Sequence, residues 1–154
     1  MTDDAPIPQG DYVPATRHGP LVYTAGMTPR HAGVMTCFGP VRVGDETALR
    51  AAAQLACANA LTAVMSQVHP DEEISGILAM TVYVWAEDGF ENHSGVADFA
   101  SAHLRERLGD RGRCSRAAIG VASLPGRAPV EIQLVAAIGH RVDAPQDDRI
   151  TSPA

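Results

Sequence analysis

Two charged residues interrupt otherwise apolar strand patterns. Within Cys114–Leu124, Arg116 alternates with Ala118, Gly120 and Ala122, so its face carries only small side chains. Small neighbours leave space beside a guanidinium, as a pocket for a carboxylate or phosphate needs. Glu131 falls on the face opposite Val130, Ile132, Leu134, Ala136 and Ile138, next to Gln133. The same pattern fits a plainer reading, because charges in strands more often sit at sheet edges, solvated or paired at an interface.

The strands that carry this pair constrain it. A simple hairpin closed by residues 125–129 would set Arg116 near Ile138 and Glu131 near Ser123, about 23 Å apart at roughly 3.3 Å per residue. A shared site therefore requires another strand order, or a neighbouring subunit that brings the two together.

Periodicity supplies the rest of the scaffold. Tyr12 to Thr16 and Leu21 to Met27 read as short strands around the Arg17-His18-Gly19-Pro20 punctuation, and Val34 to Val43 as an extended stretch broken at Gly39-Pro40. Asp45-Glu46 supplies an N-cap and an acidic first turn for a helix whose Leu49, Ala52, Ala53, Ala56, Ala60, Ala63 and Val64 recur at helical spacing. That Ala-rich stripe predicts close packing on a sheet.

After His69-Pro70-Asp71, the run Ile74 to Trp85 alternates as a strand, with Leu78, Met80, Val82 and Val84 on one face. Ile77, Ala79, Thr81 and Tyr83 form the other. Both faces are largely apolar, which predicts a central strand or one covered on both sides. A second helix over roughly 91–108 stops at Gly109, and Ser115–Leu124 and Val130–Ile138 close the order ββ(β)αβαββ. The class expected is α/β or α+β, with two helices on one sheet face.

The 154 residues fit one domain, expected over 10–142, between an N-terminal tail (1–9) and a C-terminal tail (143–154) rich in Asp, Pro, Gln and Ser. Net charge is −6, of which Asp3 and Asp4 carry −2 and the C-terminal tail another −2, so the middle is close to balanced. All twelve cations are Arg, which excludes Schiff-base and P-loop lysines and a covalently held pyridoxal phosphate. No nucleic-acid partner is expected of an acidic, aromatic-poor chain, although Arg105, Arg107, Arg111, Arg113 and Arg116 make one local cluster.

Cys37, Cys57 and Cys114 are too few and too scattered for a disulfide framework or zinc site, and the six histidines never recur at i, i+3 or i+4. No metal is expected. The acidic N-terminus lacks the apolar run of a signal peptide, and no stretch approaches 18 consecutive apolar residues. The expectation is a cytoplasmic protein without a membrane partner, its thiols reduced.

One resemblance joins these residues. Cys114-Ser115-Arg116-Ala117-Ala118-Ile119-Gly120-Val121-Ala122-Ser123-Leu124-Pro125, followed by Val130-Glu131-Ile132, is similar to the signature segment of the Rid family. These are the YjgF-type reactive-intermediate deaminases, also described as liver perchloric-acid-soluble-protein endoribonucleases. Gly19-Pro20-Leu21-Val22-Tyr23-Thr24-Ala25-Gly26 resembles the family's second landmark, and the Ala/Asn-rich first helix fits between the two. Together the matches span residues 8–140.

The resemblance implies an α+β, chorismate-mutase-like (YjgF-like) fold whose last strand inserts elsewhere in a mixed sheet. It also implies a homotrimer with three active sites in the clefts between subunits. Arg116 would bind the carboxylate of a small imino-acid substrate, and Glu131 would orient or activate the attacking water. Tyr12 matches the family's N-terminal Tyr, and Gly26 and Ala118 would supply backbone contacts. Ala25 stands where the family commonly has Ser, and Ser94 where it has an Asn on the second helix.

The activity implied is cofactor-independent hydrolysis of 2-imino or enamine acids to 2-keto acids and ammonia. Two alternatives stay open: a trimer that binds a small carboxylate without turnover, and a pathway enzyme acting on a larger imine. The endoribonuclease description ranks last, since no Lys or His pair is placed for phosphodiester cleavage.

Overall fold

The computed structural model describes residues 6–142. Seven strands and two α-helices follow in the order β1 (Ala15–His18), β2 (Leu21–Thr24), β3 (Arg30–His31), β4 (Val34–Met35), α1 (Arg50–Met65), β5 (Glu72–Trp85), α2 (His93–Leu108), β6 (Ser115–Val121) and β7 (Val130–His140). Residues 1–5 and 143–154 of the two expected tails lie outside the described residues. Pro6, Ile7 and Gln9, also assigned to the N-terminal tail, line a cavity described below.

Five strands form one mixed sheet in the order β1-β2-β7-β5-β6, and β3 and β4 pair as a separate small hairpin. β7 inserts between β2 and β5, antiparallel to both, while β6 runs parallel to β5 after the α2 crossover. The last two strands are therefore not a hairpin. β7 owes its central place to strict alternation: Val130, Ile132, Leu134, Ala136 and Ile138 are buried, and the residues between them are partly exposed. The buried set faces α1, whose Ala52, Ala53, Ala56, Ala60 and Ala63 let helix and sheet approach closely. Fully burying a side chain such as Leu134 or Val82 contributes about 1.5–3 kcal/mol.

Four sequence expectations need correction. Asp45 does not cap α1; Glu46–Leu49 winds as a 3₁₀ turn whose backbone takes up the free amides, and the α-helix begins at Arg50. α2 begins at His93, where the Asn92 side chain accepts from the Gly95 amide at 3.1 Å. The extended Val34–Val43 stretch contributes only Val34–Met35 as a strand and a single bridge from Val41 to Ala86.

The fourth concerns β5. Two register shifts, at Ile74/Gly76 and Ile77/Ala79, each add a residue against β7 and reverse the facing of what precedes them. Ile74 and Ile77 are buried with Met80, Val82 and Val84, while Leu78 is turned outward and 46% exposed. The helices cover one sheet face only. On the other, Tyr23, Leu78 and Ile119 are exposed.

Glu46–Met65 is long and apolar enough in composition to cross a membrane, yet half of it is buried against the sheet. At the far end of the sheet Arg17 clamps β1 to the start of β5, its Nη1 and Nη2 donating to both Glu72 oxygens at 2.6 and 2.7 Å.

Candidate functional site

The expected site residues divide into two groups. Tyr12, Ala25, Gly26 and Glu131 surround one cavity of about 290 Å³. A two-way backbone bridge between Met27 and Ile132, both N–H···O contacts at 2.8 Å, holds the segment after β2 against β7 and sets Gly26 beside Glu131. A Cβ at Gly26 would collide with the Glu131 carboxylate, so this close approach requires glycine.

Glu131 pairs with no cation among the described residues, and burial pushes its carboxyl above the usual range. Tyr12, about half exposed, accepts a hydrogen bond at its hydroxyl from the Gln9 amide at 3.1 Å.

Arg116 belongs to the second group. It lies on the edge strand β6 in register with Met80, on the helix-covered face, with a side chain 19% exposed. Its Nη1 donates to Asp98 Oδ1 and Ser101 Oγ, both at 2.8 Å, and its Nη2 to Ser94 Oγ at 2.7 Å. Ala118 shares this face and packs against the core. The space that small neighbours leave beside the guanidinium is filled, in part, by the carboxylate of Asp98.

Sequence reasoning named Ser94 but missed Asp98 and Ser101. The signal was present: 94, 98 and 101 fall at i, i+4 and i+7, one polar stripe on α2 facing an Arg on the neighbouring strand.

The two groups do not meet within one chain. Glu131 is in register with Tyr83 and, through it, with Ile119, three residues beyond Arg116 on β6. Alternation puts Arg116 on the helix side of the sheet and Glu131 on the other. Arg116 satisfies the plain reading as a paired edge charge; Glu131 does not, sitting on a central strand with no ion pair among the described residues.

A further residue was not singled out by sequence. Arg30, on β3, lines the Glu131 cavity and also a larger one of about 490 Å³ that continues along α1 past Asn59. Its Nη1 donates to the Gly33 carbonyl at 2.8 Å, and its Nε is buried with no hydrogen-bond partner among the described residues. A buried donor left unmatched costs about 1–3 kcal/mol. The Asn59 side chain pins this segment by donating to the carbonyls of Thr28 and Arg30 at 3.0 and 2.9 Å.

The remaining candidates stay apart. Cys57 is buried, which pushes its thiol up to about 12, and burial also raises Cys114, against the opposing effect of the nearby Arg116 charge. Among the described residues no three His, Cys, Asp or Glu side chains converge as a metal site would need.

A family profile described as Endoribonuclease L-PSP matches residues 2–138. The crystal structure of Atu1372 from Agrobacterium tumefaciens, a protein of unknown function, is similar at 32% identity, covering 84% of this chain and 82% of that one, with a TM-score of 0.76. Escherichia coli TdcF, solved with bound serine, is 21% identical over 89% of this chain and 95% of its own, TM-score 0.65. The E. coli YjgF gene product is 20% identical over 88% and 94%, also at 0.65, and shares the fold: a mixed sheet with two helices. No curated protein matches in sequence.

Proposed function

We propose, from the premise that this chain belongs to the endoribonuclease L-PSP (YjgF) family, that it hydrolyses small 2-imino acids to 2-keto acids and ammonia. The site lies between protomers of a homotrimer. The observation that carries the proposal is Glu131: a carboxylate on a central strand, without a cation partner among the described residues, raised by burial and opening into a cavity. Such a group, its carboxyl raised by burial and open to a cavity, can take a proton from water and return it.

Arg116 of one protomer would face Glu131 of its neighbour. The division of the site residues between opposite faces of one sheet supports this arrangement, as does the uncovered face bearing Tyr23, Leu78 and Ile119, which offers apolar area for association. The substrate carboxylate pairs with the Arg116 guanidinium, fixing the imine carbon beside a water. Water adds to the C=N carbon as Glu131 accepts its proton. Glu131 returns that proton to the nitrogen, giving the neutral carbinolamine; it then carries the hydroxyl proton to the amino group, and the C–N bond breaks as C=O forms, releasing ammonia and the keto acid. The balance is complete with water alone. Serine, the ligand of TdcF, carries an α-carboxylate of the kind invoked here.

One observation favours a second reading, carboxylate binding without turnover. Asp98 already supplies Arg116 with an internal carboxylate, which an incoming one must displace or share.

Release of ammonia and keto acid from 2-iminopropionate tests the proposal. Wild-type protein accelerates it, Arg116→Ala loses roughly 100-fold or more in kcat/KM, and Glu131→Ala lowers kcat while sparing binding. An Arg116→Ala protein as fast as wild type overturns the assignment. Equilibrium sedimentation reads the trimer independently, and a monomer refutes the site between protomers.

A further inference from the structure

We propose that Arg30 binds a second carboxylate at the far end of the substrate, so that the site selects dicarboxylic 2-imino acids. This deepens the preceding reading and rests on it, since it takes Glu131 as the group facing the imine.

Among the described residues Arg30 is a cation without a counter-ion. It appears in none of the ion pairs among the described residues, and its buried Nε has no partner. Its Nη2 lies against Gly126, where a Cβ would come within 2.6 Å and where φ is +62°, so glycine keeps the guanidinium in place on two counts. Asn59 fixes the backbone beneath it through the carbonyls of Thr28 and Arg30. A guanidinium held from several sides with donors left over is preorganised for a planar anion.

Position then supplies the length of the ligand. Arg30 borders both the cavity that contains Glu131 and the larger one beyond it, and the two cavities share Tyr12, Gly26 and Thr28. No ion pair joins Arg30 to Glu131 among the described residues, and Glu131 lines only the smaller cavity whereas Arg30 lines both. The two groups therefore stand at different points along one groove. A ligand whose reacting carbon lies at Glu131 reaches Arg30 only with a chain of its own, and the group that ends this chain must be an anion.

Calorimetric titration with 2-oxoglutarate and with 2-oxobutanoate tests the assignment without turnover. Wild-type protein binds 2-oxoglutarate roughly tenfold or more tightly than 2-oxobutanoate. Arg30→Ala collapses this ratio towards one, and Arg30→Lys, which keeps the charge and guards against misfolding of the alanine variant, retains part of it. Equal binding of the two acids by wild type, or a ratio unchanged in both variants, overturns the proposal.

Ammonia release from the imines of glutamate and alanine separates its failure from that of the deaminase reading. An Arg30-dependent preference in binding with neither imine hydrolysed supports the anion site and refutes the deaminase. Hydrolysis of both imines with no such preference does the reverse.

Discussion

Arg116 and Glu131 point away from each other across one sheet: the guanidinium lies under α2 and the carboxylate above Gly26. A change at one therefore leaves the other's immediate surroundings intact, and their effects can be measured apart.

Glu131→Gln separates catalysis from stability. On the proposed hydrolysis, in which Glu131 is the general base, the substitution lowers kcat by about 10²–10⁴-fold with little change in KM. Burial raises this carboxyl in the folded protein, so the folded state binds its proton more tightly than the unfolded chain does. Stability then falls as pH rises through the interval between the two values. Thermal melts at pH 7 show the Gln variant more stable than wild type, and the difference closes below the ordinary carboxylate range.

Removing the internal counter-ion of Arg116 sharpens carboxylate binding. Asp98 is 69% exposed, and pairs of this kind contribute about 0.2–1 kcal/mol. Asp98→Asn leaves the Ser94 and Ser101 hydroxyls to hold the guanidinium and lowers the Kd for 2-oxobutanoate roughly two- to fivefold. An unchanged or weaker Kd shows that Asp98 belongs to the binding surface instead of competing with the ligand.

Gly26→Ala acts through Glu131. The added methyl meets the carboxylate and pushes it out of the cavity, lowering kcat by about tenfold or more at a stability cost of about 1–3 kcal/mol. In an Glu131→Ala background the same change has little further effect on kcat, and a double-mutant cycle reads that coupling.

The Arg17–Glu72 clamp predicts acid sensitivity. Hydrogen bonds from Arg17 and from the His69 amide hold the Glu72 carboxyl down to about 2 from an ordinary 4.5. A depressed carboxyl contributes stability in full above the unfolded value and loses it as pH falls from about 4.5 towards 2. Glu72→Gln lowers Tm near neutrality and flattens its dependence over that acid interval.

Much of this was legible in the residues. The strict alternation of Val130–Ile138 and the Ala stripe of the first helix are local signals, and both survive into the fold because burial of one face dictates them. The segments around Arg116 and Glu131 carried the family resemblance because their spacing is unusual. The facing of Leu78 was not legible: a bulge depends on what the partner strand does, and β7 arrives some fifty residues later. Arg30 was hidden for a related reason. Its isolation arises from Asn59 and Gly126, contributed by distant parts of the chain, and no window around Pro29-Arg30-His31 contains them. Asp98 was within reach, had α2 been read for polar as well as apolar periodicity.

The place of β7 has a consequence for biosynthesis. The strand that separates β2 from β5 is the last of the described strands to be synthesised. Until it emerges, both of those neighbours present bare hydrogen-bonding edges, the condition under which nascent polypeptides recruit chaperones or stick to one another. A chain cut short before Val130 thus lacks both this strand and Glu131.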